Sequence, residues 1–197
     1  MRPDADIDID ALKRGDASAL DAFYRAHART VLDWVRRLGG PYLDAEDVAH
    51  DAFAVAFTRL HSFKEGHSTR AWLFGVTRRV VANARRRSAF RRFIGLDSIP
   101  EVPSPGPDTE EVVARLWRRQ QVMLALEQLK TIHREAVVLM DMEGRTAPEV
   151  AEMLEISVGT VYSRVHYGRK AFARALESQL NSGASGWSGI LAPEKVQ

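Results

Sequence analysis

The sequence contains no cysteine. It therefore cannot form a disulfide framework, a thiolate nucleophile or a zinc site with cysteine ligands. We expect a protein of a reducing, intracellular compartment that performs no thiol redox chemistry.

Long apolar runs are also missing. No uncharged stretch approaches the roughly 20 residues that a membrane-spanning helix needs. The first residues, MRPDADIDID, are acidic and lack the apolar segment of a secretory signal peptide. We expect a soluble protein without membrane insertion, and a length of 197 residues allows one large domain or two small ones.

Strand signals are scarce, and apolar residues recur instead at every third or fourth position in almost every segment. The first such run closes at the Gly-Gly-Pro stretch of residues 39–41. The second begins at Asp44 and extends to about Leu60, and the third runs from Thr69 to about Arg92. This pattern predicts an all-α fold.

A proline-rich segment interrupts the helical pattern. The stretch IGLDSIPEVPSPGPD, residues 94–108, holds four of the eight prolines and no Lys or Arg. Because proline removes backbone donors and stiffens the chain, we expect no helix to cross this stretch. We predict two small helical domains, over 1–93 and 113–180, joined by a linker over 94–112 and followed by a flexible Gly- and Ser-rich tail over 181–197.

Charge is distributed unevenly, although the net charge is only +2. Residues 1–62 carry 11 acidic and 8 basic side chains, whereas residues 63–93 carry one acidic and nine basic ones. Eight arginines lie between Arg70 and Arg92, together with Trp72 and Phe74. Cations bind phosphates by releasing counterions, and aromatic faces stack on unpaired bases. The segment is a candidate site for single-stranded nucleic acid; the alternative is a core Trp72 beside a solvated basic surface.

Near the C-terminus, a short helix, a turn and a long helix form a helix-turn-helix pattern. Asp108 with Glu111 predicts a capping box for the first helix after the linker, Thr146 with Glu149 predicts one for the short helix, and Ser157 can cap the long helix. Apolar residues with the spacing for a small shared core are Val150, Ala151, Leu154, Ile156, Val161 and Val165. The polar face left for a major groove and its phosphates comprises Thr160, Ser163, Arg164, Tyr167, Arg169 and Lys170.

An ordinary αα-hairpin with a solvated charged face remains the alternative to this motif. The turn position that is often glycine is Glu155 here. A left-handed backbone without glycine costs about 1 kcal/mol, so the turn geometry is the weaker part of the pattern.

The stretch DAEDVAHDAF, residues 44–53, places Asp47, His50 and Asp51 on one helical face. A metal site needs more ligands than this face supplies, and an exposed acidic face or partner-binding surface is the preferred interpretation. The sequence contains no Gly-rich phosphate loop or nucleophile elbow. We therefore expect no enzyme activity, no metal, no cofactor and no small-molecule substrate.

The order of these segments resembles the two-domain extracytoplasmic-function sigma factors of the bacterial sigma-70 family. DAEDVAHDAFAVAF is similar to region 2.2 of that family, and FKEGHSTRAWLFGVTRRVVANARRR is similar to its promoter-melting and minus 10 region. The stretch from Leu126 to Leu176 resembles region 4. The resemblance covers most of residues 10–180, in the family's order and with a linker of suitable length.

The resemblance implies a protein that binds core RNA polymerase and directs it to promoters, while the polymerase performs the chemistry. Expected polymerase contacts are Asp44, Glu46, Asp47, His50, Asp51, Phe53 and Phe57. Expected minus 10 contacts, which capture a flipped base and support strand separation, are Lys64, His67, Ser68, Arg70, Trp72, Arg78, Arg79, Arg85 and Arg86. Expected minus 35 contacts are Thr160, Tyr162, Ser163, Arg164, His166, Tyr167, Arg169 and Lys170.

The same resemblance implies an anti-sigma factor that clamps between the two helical domains. It also implies a cytoplasmic, nucleoid-associated location, or one at the membrane through that anti-sigma factor. This chain differs from the common family pattern at six positions. Family members commonly have Gln and Glu where this chain has His50 and Asp51, and Phe where it has Thr69. They commonly have Asn where this chain has Arg79, and Arg where it has Tyr162 and Tyr167. Because Tyr cannot make the bidentate guanine contact of Arg, the promoter sequence does not follow from the resemblance.

The main rival is a stand-alone transcriptional regulator with a C-terminal helix-turn-helix and an N-terminal sensing domain. It predicts a ligand pocket within residues 1–93. A metal-dependent nuclease built on Asp47 is a remote third interpretation.

Overall fold

The computed structural model describes residues 8–63, 68–94 and 110–187. Within these ranges the chain forms helices and no strand, which confirms the all-α prediction. The α-helices are α1 (Ile9–Lys13), α2 (Ala17–Gly39), α3 (Ala45–Thr58), α4 (Thr69–Phe93), α5 (Glu110–Glu127), α6 (Thr131–Val137), α7 (Ala147–Leu154) and α8 (Val158–Trp187). A 3-10 turn at Leu60–Ser62 follows α3, and a π-helical turn at Val138–Met142 follows α6.

Helices α1 to α4 form the N-terminal unit, in which α2, α3 and α4 contact one another. The side chains of Asp16, Asp44 and Ser68 accept hydrogen bonds from backbone N–H groups in the first turns of α2, α3 and α4. These caps satisfy donors that a helix start would otherwise leave unpaired. The short helix α1, which the sequence pattern did not predict, contacts α2 and buries Leu12.

Helices α5 to α8 form the C-terminal unit, which contains the predicted helix-turn-helix. The capping box is present, with the Thr146 N–H donating to Glu149 Oε2 at 2.8 Å, and Ser157 caps α8. Glu155 adopts the left-handed conformation, with φ 56°, although it is not glycine. The N–H groups of Glu155 and Ile156 donate to carbonyls of the last turn of α7, and these bonds offset the cost of about 1 kcal/mol.

The two units pack against each other. Helix α2 contacts α5 and α6, and α4 contacts α7. Buried apolar residues from both units belong to one continuous cluster. The arrangement therefore brings the predicted minus 10 helix, α4, directly against the unit that carries the helix-turn-helix.

Helix boundaries differ from the prediction in three places. Helix α5 already begins at Glu110, and its predicted cap, Asp108, lies outside the described residues. The spacing of apolar residues predicts one helix around Ile132 to Met142, but this stretch is divided into α6 and the π-helical turn. Helix α8 extends through Trp187, into the segment predicted as tail.

Gly168 permits a close approach between α6 and α8. A Cβ atom at this position would lie 2.6 Å from Val137 Cγ2 and 3.2 Å from the carbonyl oxygen of His133. Both distances are shorter than ordinary van der Waals contact. The two helices can therefore pack at this distance only because residue 168 has no side chain.

We expect Gly168→Ala to lower the free energy of unfolding by about 1–3 kcal/mol, because α8 must move away from α6. Gly159→Ala is the matched control on the same helix, since a Cβ there would meet only Ser157 Oγ, at 3.9 Å. Alanine has the higher helix propensity, so the control should unfold at the same or a higher temperature. Thermal and urea unfolding test this prediction, and equal destabilisation by both changes would contradict it.

Candidate nucleic-acid interface

The acidic face of α3 is exposed. Asp44 caps the helix, and its Oδ1 accepts hydrogen bonds from the N–H groups of Glu46 at 3.0 Å and Asp47 at 3.1 Å. The side chains of Glu46, Asp47, His50 and Asp51 are exposed. Carboxylates here remain available to a basic partner, because only distant ion pairs at 3.8 Å engage Glu46 and Asp51 among the described residues.

Phe53 does not belong to this exposed face, contrary to the expectation for a polymerase contact. It is 3% exposed and packs against the rings of Phe23, Tyr24 and Phe57. Two residues advance a helix by about 200°, so Phe53 points inward where Asp51 points outward. We therefore assign Phe53 to the core. Phe57 is half-buried in the same aromatic cluster.

The arginines of α4 divide into two groups. Arg79 and Arg86 are exposed. The second group consists of Arg70, Arg78 and Arg85, which are spaced by eight and seven positions. These three face the C-terminal unit, and each is paired there with a carboxylate. Predicted nucleic-acid contacts therefore lie on both an open and a covered side of the same helix.

A cleft of about 420 Å³ borders the start of α4. Trp72 lines it and contacts Phe63 edge to face, with ring centroids 5.6 Å apart. The C-terminal unit also contributes Glu152, Met153 and Glu155 to the lining. The cleft thus lies between the two units, and both of its acidic lining residues come from α7 and the turn after it.

The remaining minus 10 candidates lie at or before the start of α4. Ser68 is the helix cap, and its Oγ accepts a hydrogen bond from the Ala71 N–H at 3.2 Å. Lys64 and His67 lie outside the described residues.

Glu127 joins the two units at the C-terminal end of α2. Its carboxylate accepts hydrogen bonds from Arg85 at 2.6 and 2.7 Å and from Arg134 at 3.1 Å. Both arginines also donate to the carbonyl of Leu38, and Arg85 donates to that of Gly39 at 2.8 Å. These carbonyls end α2, where the helix dipole favours positive charge. Guanidinium groups from both units thus satisfy the end of one helix.

Arg134 is only 2% exposed. Burial and the nearby charge of Arg85 lower the pKa of Arg134 to about 10, although Glu127 and Glu135 oppose this effect. The guanidinium therefore stays protonated at neutral pH. Its burial depends on Glu127, because an unpaired buried charge is strongly destabilising.

Glu143 follows the π-helical turn and reaches into the N-terminal unit. Its carboxylate accepts hydrogen bonds from the indole N–H of Trp34 and from Arg70 Nη2, the latter at 2.9 Å. Arg37 and Arg145 lie 3.8 and 3.9 Å from the same carboxylate. Trp34 is fully buried, and the Arg70 guanidinium lies 5.4 Å from its ring centroid. The carboxylate is thus surrounded by donors and positive charge.

Glu135 forms the third contact of this kind, with Arg78 at 3.6 Å. Burial raises the pKa of Glu135, while the charges of Arg78, Arg164 and Arg134 oppose the rise. Since the net direction is upward, these cations compensate the burial of the carboxylate only in part.

The sequence patterns do not single out Glu127, Glu135 or Glu143. Their arginine partners on α4 lie far away in the chain, by 42 positions for Glu127 and 73 for Glu143. The one available signal is that Glu135 directly precedes the apolar run AVVLM, which favours a buried helix.

The predicted minus 35 face of α8 is largely exposed. Tyr162 and Tyr167 are each 57% exposed. Of the other candidates, Ser163, His166, Arg169 and Lys170 are exposed, whereas Thr160 and Arg164 are half-buried. Val161 and Val165 on the opposite side are buried in the shared core, as the helix-turn-helix pattern predicts.

Two residues of this face are held by the preceding elements. Arg169 Nε donates to Asp141 Oδ2 at 3.0 Å, and this hydrogen bond raises the pKa of Arg169. The ring of Tyr167 stacks on that of His133, with centroids 6.2 Å apart and an interplanar angle of 24°. Helix α6 and the π-helical turn therefore orient part of the face on α8.

Other kinds of site have little support in the parts of the chain that the structure describes. No group of three His, Asp or Glu side chains there could hold a metal ion. No described helix combines the length and apolar character that crossing a membrane requires.

A cleft of about 490 Å³ between α3 and α4 is lined by many charged side chains, including Asp44, Asp47, Asp51, Arg87, Arg91 and Arg92. Pockets for small molecules are lined mostly by apolar side chains, so this charged cleft does not resemble the ligand pocket that the stand-alone regulator predicts.

Models of two known protein regions match the two units in the predicted order. The Sigma-70 region 2 model matches residues 23–91, and the Sigma-70, region 4 model matches residues 119–172. The first match covers α3 and most of α4, and the second covers the helix-turn-helix.

Several characterised proteins are similar along most of the chain. The ECF RNA polymerase sigma factor SigE of Mycolicibacterium smegmatis is 32% identical over 163 residues, which cover 79% of this chain and 62% of SigE. The ECF RNA polymerase sigma factor SigL of Mycobacterium tuberculosis is 30% identical over 163 residues, which cover 82% of this chain and 91% of SigL. The chain thus spans less than two thirds of SigE but nearly all of SigL.

Solved structures share the fold. CnrH in complex with the cytosolic domain of CnrY has a TM-score of 0.62 and 24% identity, over 86% of this chain and 95% of CnrH. The sigma factor RpoE from Bartonella quintana, in complex with the anti-sigma factor NepR, has a TM-score of 0.60 and 22% identity, over 80% of this chain and 96% of RpoE. With both sigma-70 regions matched in order, and 30% identity over 91% of SigL, this chain belongs to the ECF RNA polymerase sigma factors.

Proposed function

We propose that this sigma factor binds core RNA polymerase, recognises promoter DNA through two separate surfaces and initiates transcription of a specific set of genes. The observation that carries the proposal is the exposed polar face of α8 on a helix-turn-helix, in the same chain as the arginine-rich helix α4. Two weak DNA-binding modules gain affinity when one chain joins them. The polymerase, rather than this chain, performs the chemistry.

The minus 35 element would be read as duplex by α8. A recognition helix enters the major groove with its first turns at the base edges. Tyr162 and Ser163 are exposed in the N-terminal half of α8, and Lys170 lies further along the same face, where it can contact a phosphate. The pairing of Arg169 with Asp141 leaves Arg169 less free than Lys170.

The minus 10 element would be opened and held as a single strand at α4. Arg79 and Arg86 are exposed and supply positive charge for the phosphates, and Trp72 offers an aromatic face beside the cleft. Extruding a base costs a few kcal/mol, which stacking and phosphate contacts must offset.

Core polymerase would bind the exposed acidic face of α3, through Asp47, His50 and Asp51. Electrostatic complementarity with a basic partner surface raises the association rate and sets the orientation. Such a function places the protein in the cytoplasm, at the nucleoid.

We also propose an anti-sigma partner. RpoE was solved with the anti-sigma factor NepR, and CnrH with the cytosolic domain of CnrY. Co-purification from the native host tests for such a partner, and a chain recovered only free or on polymerase would count against it. A membrane-bound partner would hold this protein at the membrane.

Run-off transcription with purified core polymerase tests the sigma function. We expect promoter-dependent transcripts, and a reduction of about tenfold for Asp47→Lys, because a reversed charge opposes the basic partner. Asp21→Lys, which reverses an exposed carboxylate on α2, is the control and should transcribe normally. Binding to duplex DNA without any promoter-dependent transcript would favour the stand-alone regulator instead.

Promoter preference tests the assignment of α8. We expect Tyr162→Arg and Tyr167→Arg to shift minus 35 selectivity toward guanine, by about 5- to 150-fold, because a good bidentate pair discriminates by about 1–3 kcal/mol. Ala173→Arg adds the same charge to an exposed position of α8 further from its start, and should raise affinity without changing the preferred sequence. Selection from a randomised minus 35 library measures this, and identical preferences in all variants would refute the assignment.

A further inference from the structure

A cleft of about 460 Å³ lies between α2 and α5. None of the residues that line it belongs to the surfaces proposed above for promoter DNA or for core polymerase. Five arginines line the cleft, three from α2 and two from α5, namely Arg29, Arg36, Arg37, Arg118 and Arg119. We call it the arginine cleft.

The positive charge of the arginine cleft is compensated only in part. Arg36 Nη2 lies 3.8 Å from the carboxylate of Glu46. Arg37 Nη1 lies 3.8 Å from that of Glu143, and both distances are too long for a hydrogen bond. Among the residues that the structure describes, the other three arginines form no ion pair. Asp33 is the one carboxylate in the described lining, so five cations face a single negative charge.

Guanidinium groups that converge on one cleft repel one another, and a bound anion removes this repulsion. The anion has to carry several charges, since a single carboxylate would neutralise only one of the arginines. Linked phosphates supply such a charge, and each phosphate can accept the two parallel hydrogen bonds of an arginine fork. The chemistry of the cleft therefore favours a ligand with two or more phosphates.

The rest of the lining suits the other parts of a nucleotide. Val122, Met123 and Met142 are half-buried and form an apolar wall beside the arginines. Methionine sulfur makes favourable contacts with aromatic rings, so this wall offers a surface for a base. The half-buried carboxylate of Asp33 can accept hydrogen bonds from ribose hydroxyls, as acidic residues do in dinucleotide sites.

Size and charge pattern distinguish this cleft from the others. Its volume lies within the range of about 300–1,000 Å³ that is typical of small-molecule sites. The cleft between α3 and α4 mixes acids and cations, whereas the arginine cleft combines charge of predominantly one sign with an apolar wall. A nucleic-acid strand is bound along a groove that follows its backbone, so the convergence of the arginines on one cleft favours a compact ligand instead.

We propose that the arginine cleft binds a nucleotide that carries at least two linked phosphates. The arginines hold the phosphates, Asp33 holds the ribose, and the apolar wall contacts the base. The proposal adds a small-molecule ligand to a protein whose function proposed above involves only macromolecules. Sequence patterns do not indicate this ligand, because α2 and α5 lie far apart in the chain.

Isothermal titration calorimetry of the full chain with ADP and with inorganic pyrophosphate tests the site. We expect ADP to bind more tightly than pyrophosphate, because only ADP has a ribose and a base. The variant that combines Arg118→Gln with Arg119→Gln should weaken the binding of both probes by about tenfold or more, since hydrogen bonds to charged groups are lost. Both side chains are exposed, so their replacement leaves the core intact.

The control variant combines Arg14→Gln with Arg174→Gln. It removes the same charge from exposed positions that do not line the cleft, so it should bind both probes as the unaltered protein does. Circular dichroism and thermal unfolding confirm that each variant is folded. Equal losses of affinity in the two double variants would overturn the site, because they would show attraction by net charge alone.

Asp33→Ala separates a nucleotide site from a site for phosphates alone. Removal of the carboxylate relieves its repulsion of the phosphates of both probes, but only ADP loses a partner for its ribose. The ratio of ADP affinity to pyrophosphate affinity should therefore fall by about tenfold. Asp21→Ala, at an exposed position of α2, is the matched control and should keep the ratio. An unchanged ratio in Asp33→Ala, or equal affinities of the unaltered protein for both probes, would overturn the nucleotide assignment.

Nucleic acid is the alternative occupant of the cleft. We expect the affinity for a short fluorescein-labelled single-stranded DNA to change little when Arg118 and Arg119 are replaced, because this strand binds at α4. A loss as large as that for ADP would assign the cleft to nucleic acid and overturn the proposal. None of these measurements involves polymerase, so their failure leaves the sigma function intact, and loss of promoter-dependent transcription in the unaltered protein leaves the nucleotide site intact.

Discussion

The C-terminal end of α2 is the point on which the arrangement of the whole protein depends. A helix ends with carbonyl groups that have no partner within the helix. Here Arg85 from one unit and Arg134 from the other donate to the Leu38 carbonyl, and Glu127 neutralises both cations. A side chain in place of Gly40 would contact Glu127 and Arg85 and disturb this cluster. The backbone conformation at Gly40, the pairing of the charges and the packing of the two units therefore depend on one another at this site.

The same property of arginine serves stability and recognition. A guanidinium that can form a fork with a carboxylate can form one with a phosphate, so a helix suited to nucleic acid is also suited to internal acids. In helix α4, Arg79 and Arg86 are exposed, whereas three other arginines are paired with carboxylates. The packing of the C-terminal unit therefore decides which arginines of α4 are paired with carboxylates.

Sequence reasoning succeeded where the determining interactions are local. The capping box of α7, the Ser157 cap of α8 and the exposed face of α8 all follow from residues within one or two turns of each other. Phe53 entered the predicted polymerase surface through the family resemblance alone, and the structure buries this side chain. Sequence reasoning was also silent on Glu127 and Glu143, whose partners come from another unit.

The sequence by itself determined the all-α fold, the helix-turn-helix and the concentration of arginine on α4, since helix periodicity, capping and composition are written into short stretches of chain. Only the tertiary structure decided which arginines are covered and by which acids. Such pairs depend on distances of a few ångströms between side chains more than forty positions apart, and local pattern carries no information about those distances.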